Sequence, residues 1–128
     1  MATTSYLAPE NSISVIRGTT KTLKLTVTDS TGTAVNLTGG KLVLTVKSSI
    51  YDDLPLVQKL TTDPDQAAIT LPREGVVEFY LEPADTQALV PRDYIFDVWY
   101  IAATSGERYA VVPPATFTVT PGVTLLPL

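Results

Sequence analysis

The run Asp85-Thr86-Gln87-Ala88-Leu89-Val90-Pro91-Arg92-Asp93-Tyr94-Ile95-Phe96-Asp97-Val98-Trp99-Tyr100-Ile101 decides how this chain folds. It opens as a single helical turn, is broken by Pro91, whose ring cannot continue a helix, and becomes the longest and most aromatic strand-like run of the sequence. Two-residue alternation sends Tyr94, Phe96, Val98 and Tyr100 to one face and Ile95, Asp97, Trp99 and Ile101 to the other. A strand apolar on both faces needs cover on both, so the run reads as a corner feeding a central strand.

The flanking sequence supplies that cover in short pieces. Leu23, Leu25 and Val27 alternate with polar residues over Thr22 to Thr28, and Leu42, Leu44 and Val46 do so over Lys41 to Lys47, the pattern of half-buried antiparallel strands. Ser12 to Ile16 reads as a further short strand. Asp29-Ser30-Thr31-Gly32 has the composition of a hairpin turn, with Val35 to Gly40 as a short edge piece. Ser48 to Leu54 reads as a loop, and Pro55 confines Leu56 to Leu60 to a sheet edge. Ala68 to Leu71 and Val76 to Glu82 are joined by Pro72-Arg73-Glu74-Gly75, a turn closed by a glycine bulge. In the second of these strands Val77, Phe79 and Leu81 face inward, and Val76 and Tyr80 face the other way. Arg108 to Val112 returns beside the central strand, Pro113-Pro114 interrupts the ladder, and Thr116 to Thr120 resumes it.

Turn signals at roughly 8- to 12-residue spacing with almost no helix indicate an all-β antiparallel immunoglobulin-like β-sandwich of about 7–9 short strands, with one helical turn near residues 83–89. Tyr94, just after the corner, is placed to send its hydroxyl back to the preceding backbone, a tyrosine corner; a plain core tyrosine is the other reading. At 128 residues the chain fits one domain, residues 1–128. Residues 1–11, with Tyr6 and Leu7, read as an arm that either frays or is pinned by other subunits, and residues 121–128, with Leu125, Leu126 and Leu128, as either a final strand piece packing on its own sandwich or an arm for an adjacent subunit.

Composition removes whole classes of chemistry. The chain has no histidine and no cysteine, so Ser-His-Asp and Cys-His catalysis, disulfides and thiolate zinc sites are excluded. A net charge of −4 without a basic cluster argues against nucleic acid and anionic membranes as partners. No apolar run approaches the roughly 20 residues of a membrane helix, and the N-terminus lacks a basic region followed by an apolar stretch, so the expectation is a soluble protein made without an export signal. Acid pairs are the remaining machinery for catalysis. Glu78 and Glu82, or Asp93 and Asp97, lie four apart on a strand, roughly 13 Å, which is too far for a glycosidase pair. Asp52-Asp53 and Asp63-Pro64-Asp65 lack EF-hand spacing and read as solvated loop acids. No cofactor is expected. Asn36 matches a glycosylation acceptor and reads as a turn residue.

Several motifs in order carry a resemblance: Asp29-x-x-Gly32-x-x-Val35-Asn36-Leu37-Thr38-Gly39, Leu42-x-Leu44-x-Val46-Lys47, Asp85-Thr86-x-x-Leu89-x-x-x-Asp93-Tyr94-x-Phe96-Asp97-Val98, and Phe117-x-Val119-x-Pro121-Gly122-Val123-Thr124. Together they resemble the small immunoglobulin-like domains of tailed-bacteriophage virions, and are most similar to the N-terminal domain of the baseplate upper protein family. Arg92 and Asp93 stand where that pattern commonly has a glycine before the tyrosine. The resemblance implies a non-enzymatic virion structural protein without catalytic residues, whose partners are other virion proteins, either the major capsid protein or tail and baseplate proteins, in a homo-oligomer. A capsid decoration or cement role fits a short chain with an arm at each end; a tail or baseplate component is the alternative. A carbohydrate-binding module, with Trp99, Tyr100 or Tyr51 as stacking platform, is a third reading.

Aromatics bury large areas at low entropic cost and so anchor interfaces well. Val76, Tyr80, Ile95 and Trp99, on faces opposite the plainly apolar ones, are the interface candidates within the strands; the other reading is that they line the second sheet's inner face in a different register. Tyr6, Leu7, Leu125, Leu126 and Leu128 are those of the arms.

Overall fold

The computed structural model describes residues 12–29 and 31–124. Tyr6, Leu7, Leu125, Leu126 and Leu128 lie outside the described residues. Among the described residues eight strands run in chain order: β1 (Ile13–Ile16), β2 (Lys21–Thr26), β3 (Lys41–Lys47), β4 (Val57–Leu60), β5 (Ala67–Leu71), β6 (Val76–Leu81), β7 (Arg92–Ile101) and β8 (Arg108–Thr120). A 3-10 turn (Pro72–Glu74) joins β5 to β6, and a short helix, α1 (Pro83–Gln87), joins β6 to β7. The strands form a five-stranded sheet in the order β1-β8-β7-β3-β4 and a three-stranded sheet in the order β2-β6-β5.

Alternation decides which side chains meet between the sheets. Leu42, Leu44 and Val46 of β3 and Phe96 and Val98 of β7 are buried from one sheet, and Leu23, Leu25, Val77 and Phe79 from the other. They belong to one continuous apolar cluster. Within it the Phe96 and Phe117 rings meet edge to face, centroids 6.2 Å apart, a favoured aromatic geometry. β7 is central as its pattern requires, flanked by β3 and β8.

The corner is held at several points. Glu82 and Asp85 form a reciprocal capping box around the first turn of α1, which satisfies two of the donors a helix start leaves open. Thr86 is fully buried and its hydroxyl accepts the Gly18 N–H at 2.8 Å, while Arg17 Nε donates to the Gln87 carbonyl at 2.8 Å. The helix is thereby tied to the β1–β2 turn. Tyr94, 7% exposed, donates its hydroxyl to the Val90 carbonyl four residues upstream at 2.6 Å, the geometry of a tyrosine corner.

Four local expectations are corrected. β1 pairs with β8 in parallel, so one edge of the sheet departs from the antiparallel rule. Val35 to Gly40 forms no strand: Asn36 Oδ1 accepts both the N–H and the hydroxyl of Thr38, a local turn, while Val35 and Leu37 plug into the core. β8 continues through Pro113-Pro114, because register slips between Phe96 and Val98 and between Val98 and Trp99 absorb extra residues there, and a residue without an N–H is tolerated at such bulges. Finally, Val76 is 7% exposed. It sits between Thr26 and Leu71 where the β5–β6 ladder shifts register, and this closes its side chain off from solvent.

Candidate functional site

The outer face of the five-stranded sheet carries the side chains left over by the inward alternation. β3 contributes Val43, Thr45 and Lys47, β7 contributes Ile95, Asp97 and Trp99, and β4 contributes Gln58, which lies opposite Thr45. Cross-strand registry brings Trp99 beside Val43 and Asp97 beside Thr45. The β3–β4 loop, with Ile50, Asp53 and Pro55, rises along one side and Pro114 closes another, leaving a groove of about 340 Å³.

Hydrogen bonds fix the polar groups of this groove. Trp99 Nε1–H donates to Asp97 Oδ2 at 3.0 Å, two residues back on the same face. Gln58 Nε2 donates to Thr45 Oγ1 at 3.2 Å. Burial pushes the Asp97 carboxyl above its usual range, against the opposing pull of the Trp99 N–H and the Lys47 charge. A carboxylate half withdrawn from water beside an indole is costly to leave bare.

The loop between β3 and β4 holds a second feature. Tyr51 is 91% exposed and Leu54 79%, with Ile50 and Leu56 also open to solvent. The loop itself is built: Asp52 Oδ2 accepts the Ser49 N–H at 3.1 Å and the Asp52 N–H returns to the Ser49 carbonyl at 3.0 Å. The loop is thus a shaped one that holds four large apolar side chains open to solvent.

The strand-borne interface candidates do not converge. Ile95 and Trp99 line the groove, whereas Val76 and Tyr80 belong to β6 in the other sheet. Val76 is buried and offers no contact surface; Tyr80 is half-buried, with its hydroxyl 3.5 Å from Glu78. Tyr100 is 5% exposed and stacked on Tyr109, centroids 6.3 Å apart, so it cannot serve as a stacking platform. Ile50 and Leu54 carry no alternation signal because they lie in a loop, and Leu56, expected to open the edge strand, falls just before β4; their signal is the apolar content of Ile50-Tyr51-Asp52-Asp53-Leu54-Pro55-Leu56 itself. The acids weighed for chemistry serve local structure: Asp93 accepts the Thr118 hydroxyl at 2.7 Å and Asp63 the Asp65 N–H at 3.0 Å. Among the described residues no three acidic side chains are grouped to hold a metal ion.

These elements define the class of the protein. It is an all-β immunoglobulin-like sandwich, with β2, β6 and β5 in the places of strands B, E and D, and β3, β7 and β8 in those of C, F and G. No protein-family model and no curated protein matches the chain. Solved structures similar to it include the Lin-41 filamin domain, at 12% identity and TM-score 0.45 over 91% of this chain and 90% of that one. The RIG-5 IG1 homodimer is similar at 11% identity and TM-score 0.46, covering 96% and 100%. AggA, the major subunit of aggregative adherence fimbriae type I from Escherichia coli, is similar at 14% identity and TM-score 0.33, covering 87% and 89%.

Proposed function

We propose that this chain is a non-enzymatic structural protein of a tailed-bacteriophage virion, a capsid decoration or cement protein that docks through its β3–β4 loop onto neighbouring subunits. The observation that carries the docking is the exposure of Tyr51 and Leu54 on a hydrogen-bonded loop. The phage setting is supported by the sequence motifs around Asp29, Asp85 and Phe117 that resemble virion immunoglobulin-like domains. The location is the virion, the partner is the major capsid protein, and copies of the chain form a homo-oligomer on the shell.

Such a protein acts by mass action. Binding the assembled shell and not its dissociated subunits stabilises the shell by RT ln(1 + [L]/Kd) per site, about 2.7 kcal/mol at a hundredfold excess over Kd. A tail or baseplate position is the second reading, favoured by the similarity to the baseplate upper protein family. The test is complementation of a phage deleted for this coding sequence. The protein with Tyr51→Ser and Leu54→Ser keeps its melting temperature, since both side chains are exposed, and is absent from purified particles. Normal incorporation of that variant defeats the loop as the docking element. Cofractionation of wild type with isolated tails in place of heads selects the second reading.

A further inference from the structure

The groove beside the loop is a second feature of this face of the sheet. Its volume of about 340 Å³ falls at the lower end of the range for small-ligand sites, roughly 300–1,000 Å³. Trp99, 39% exposed, lines it. Its indole N–H, the ring's single polar group, is already given to Asp97, so what Trp99 offers a ligand is ring carbon. Polar groups of both signs share the groove with it: Asp97 retains Oδ1 as an acceptor, and Gln58, anchored through one N–H on Thr45, retains its carbonyl and its other N–H. Lys47 makes no salt bridge among the described residues.

We propose that this groove binds a neutral carbohydrate, with one sugar ring stacked on Trp99 and its hydroxyls bonded to Asp97, Gln58 and Lys47. A sugar hydroxyl donates and accepts at once, so it is served by a carboxylate, an amide and an ammonium side by side. Its C–H face is apolar and packs on an aromatic plate. Other ligand classes fit these groups less well. A phosphate would meet Asp97 and Asp53 with only Lys47 to balance them. An acyl chain would strip water from Asp97, Lys47 and Gln58 without replacing those hydrogen bonds. A proline-rich peptide offers carbonyl acceptors and almost no N–H, so it could take the Gln58 and Lys47 donors but would cover Asp97 without a donor for its free oxygen.

The same loop gives the groove Ile50, Asp53 and Pro55, but Tyr51 and Leu54, which carry the docking, do not line it, so the two readings can be tested apart. Trp99 is the one tryptophan of the chain, which makes its fluorescence and its single indole N–H cross-peak direct reporters of the groove. The full chain is titrated with a panel of neutral oligosaccharides (cellotriose, maltotriose, laminaritriose, N-acetylchitotriose), with decaproline and inorganic phosphate as controls. At least one sugar shifts the indole cross-peak saturably in the millimolar range; Trp99→Ala weakens that sugar about tenfold, as read from the backbone amides of β3 and β7, and Gln58→Ala several-fold. The proposal is overturned if no sugar moves the cross-peak, if decaproline or phosphate saturates it and the sugars do not, or if sugar binding survives Trp99→Ala undiminished. Tyr51→Ser with Leu54→Ser leaves sugar binding intact, so loss of assembly with retained binding, or the reverse, shows which of the two readings has failed.

Discussion

Replacing Asp85 by Asn probes the packing of the corner against the sheet edge. Lys59 points inward from β4 with its side chain 8% exposed, and its Nζ lies 2.8 Å from Asp85 Oδ2. The same oxygen accepts the Glu82 N–H at 2.7 Å, so one carboxylate holds both the buried ammonium and the first turn of α1. Asparagine keeps an acceptor for Glu82 and removes the countercharge. Breaking one half of a buried pair costs about 3–5 kcal/mol. Here the Asp85 side chain is 21% exposed and the lysine stem can carry its head toward water, which brings the expected cost to about 2–3 kcal/mol. At roughly 3–4 °C per kcal/mol for a chain of this size, Tm falls by roughly 6–12 °C.

Lys59→Met keeps the packing of the stem and leaves Asp85 to be hydrated while it goes on capping Glu82, so its cost stays below about 1 kcal/mol. The double variant recovers most of what Asp85→Asn alone loses. Urea unfolding of the three variants, followed by circular dichroism and by the single tryptophan, gives the coupling energy directly. Equal losses for the two single variants, or a strictly additive double variant, refute the reasoning.

Three further outcomes follow from the same packing. Tyr94→Phe removes the bond to the Val90 carbonyl and lowers stability by about 1 kcal/mol in the same assay. Gly75→Ala places a Cβ 2.5 Å from the Val27 carbonyl oxygen at a φ of +71° and costs on the order of 3 kcal/mol, whereas Gly106→Ala, at a similar φ with nothing within 4 Å, costs about 1 kcal/mol. The Asp97 carboxyl has its pKa raised by burial, so the folded chain holds that proton more tightly than the unfolded one. The stability this gives is complete below the unfolded value near 3.9 and is lost as pH rises through the folded value. Asp97→Asn therefore raises Tm relative to wild type at neutral pH, and the gain disappears at about pH 3.

What was legible in the sequence is what alternation can encode. The inward positions of β2, β3 and β7 are legible because one face of each strand is uniformly apolar and a one-residue slip would expose it. Val76 escaped that logic because it lies at a register shift, where parity stops predicting direction. Val35 and Leu37 look like strand residues yet are core plugs from a turn, since the Asn36 side chain supplies bonds that a strand partner would otherwise make. The Lys59–Asp85 pair joins two elements far apart in sequence, and no local pattern announces it. The groove was half visible: Ile95 and Trp99 were marked by their face, but Gln58 and Thr45 join them only through the order of strands, which periodicity does not specify.

Cryo-electron microscopy of the particle carrying this protein tests the central claim most directly. The account predicts density for the sandwich on the head, with the Ser48 to Leu56 loop seated against a neighbouring subunit and Tyr51 and Leu54 buried in the contact. A particle in which that loop faces solvent while another surface makes the contact, or one that carries the sandwich away from the head, contradicts it.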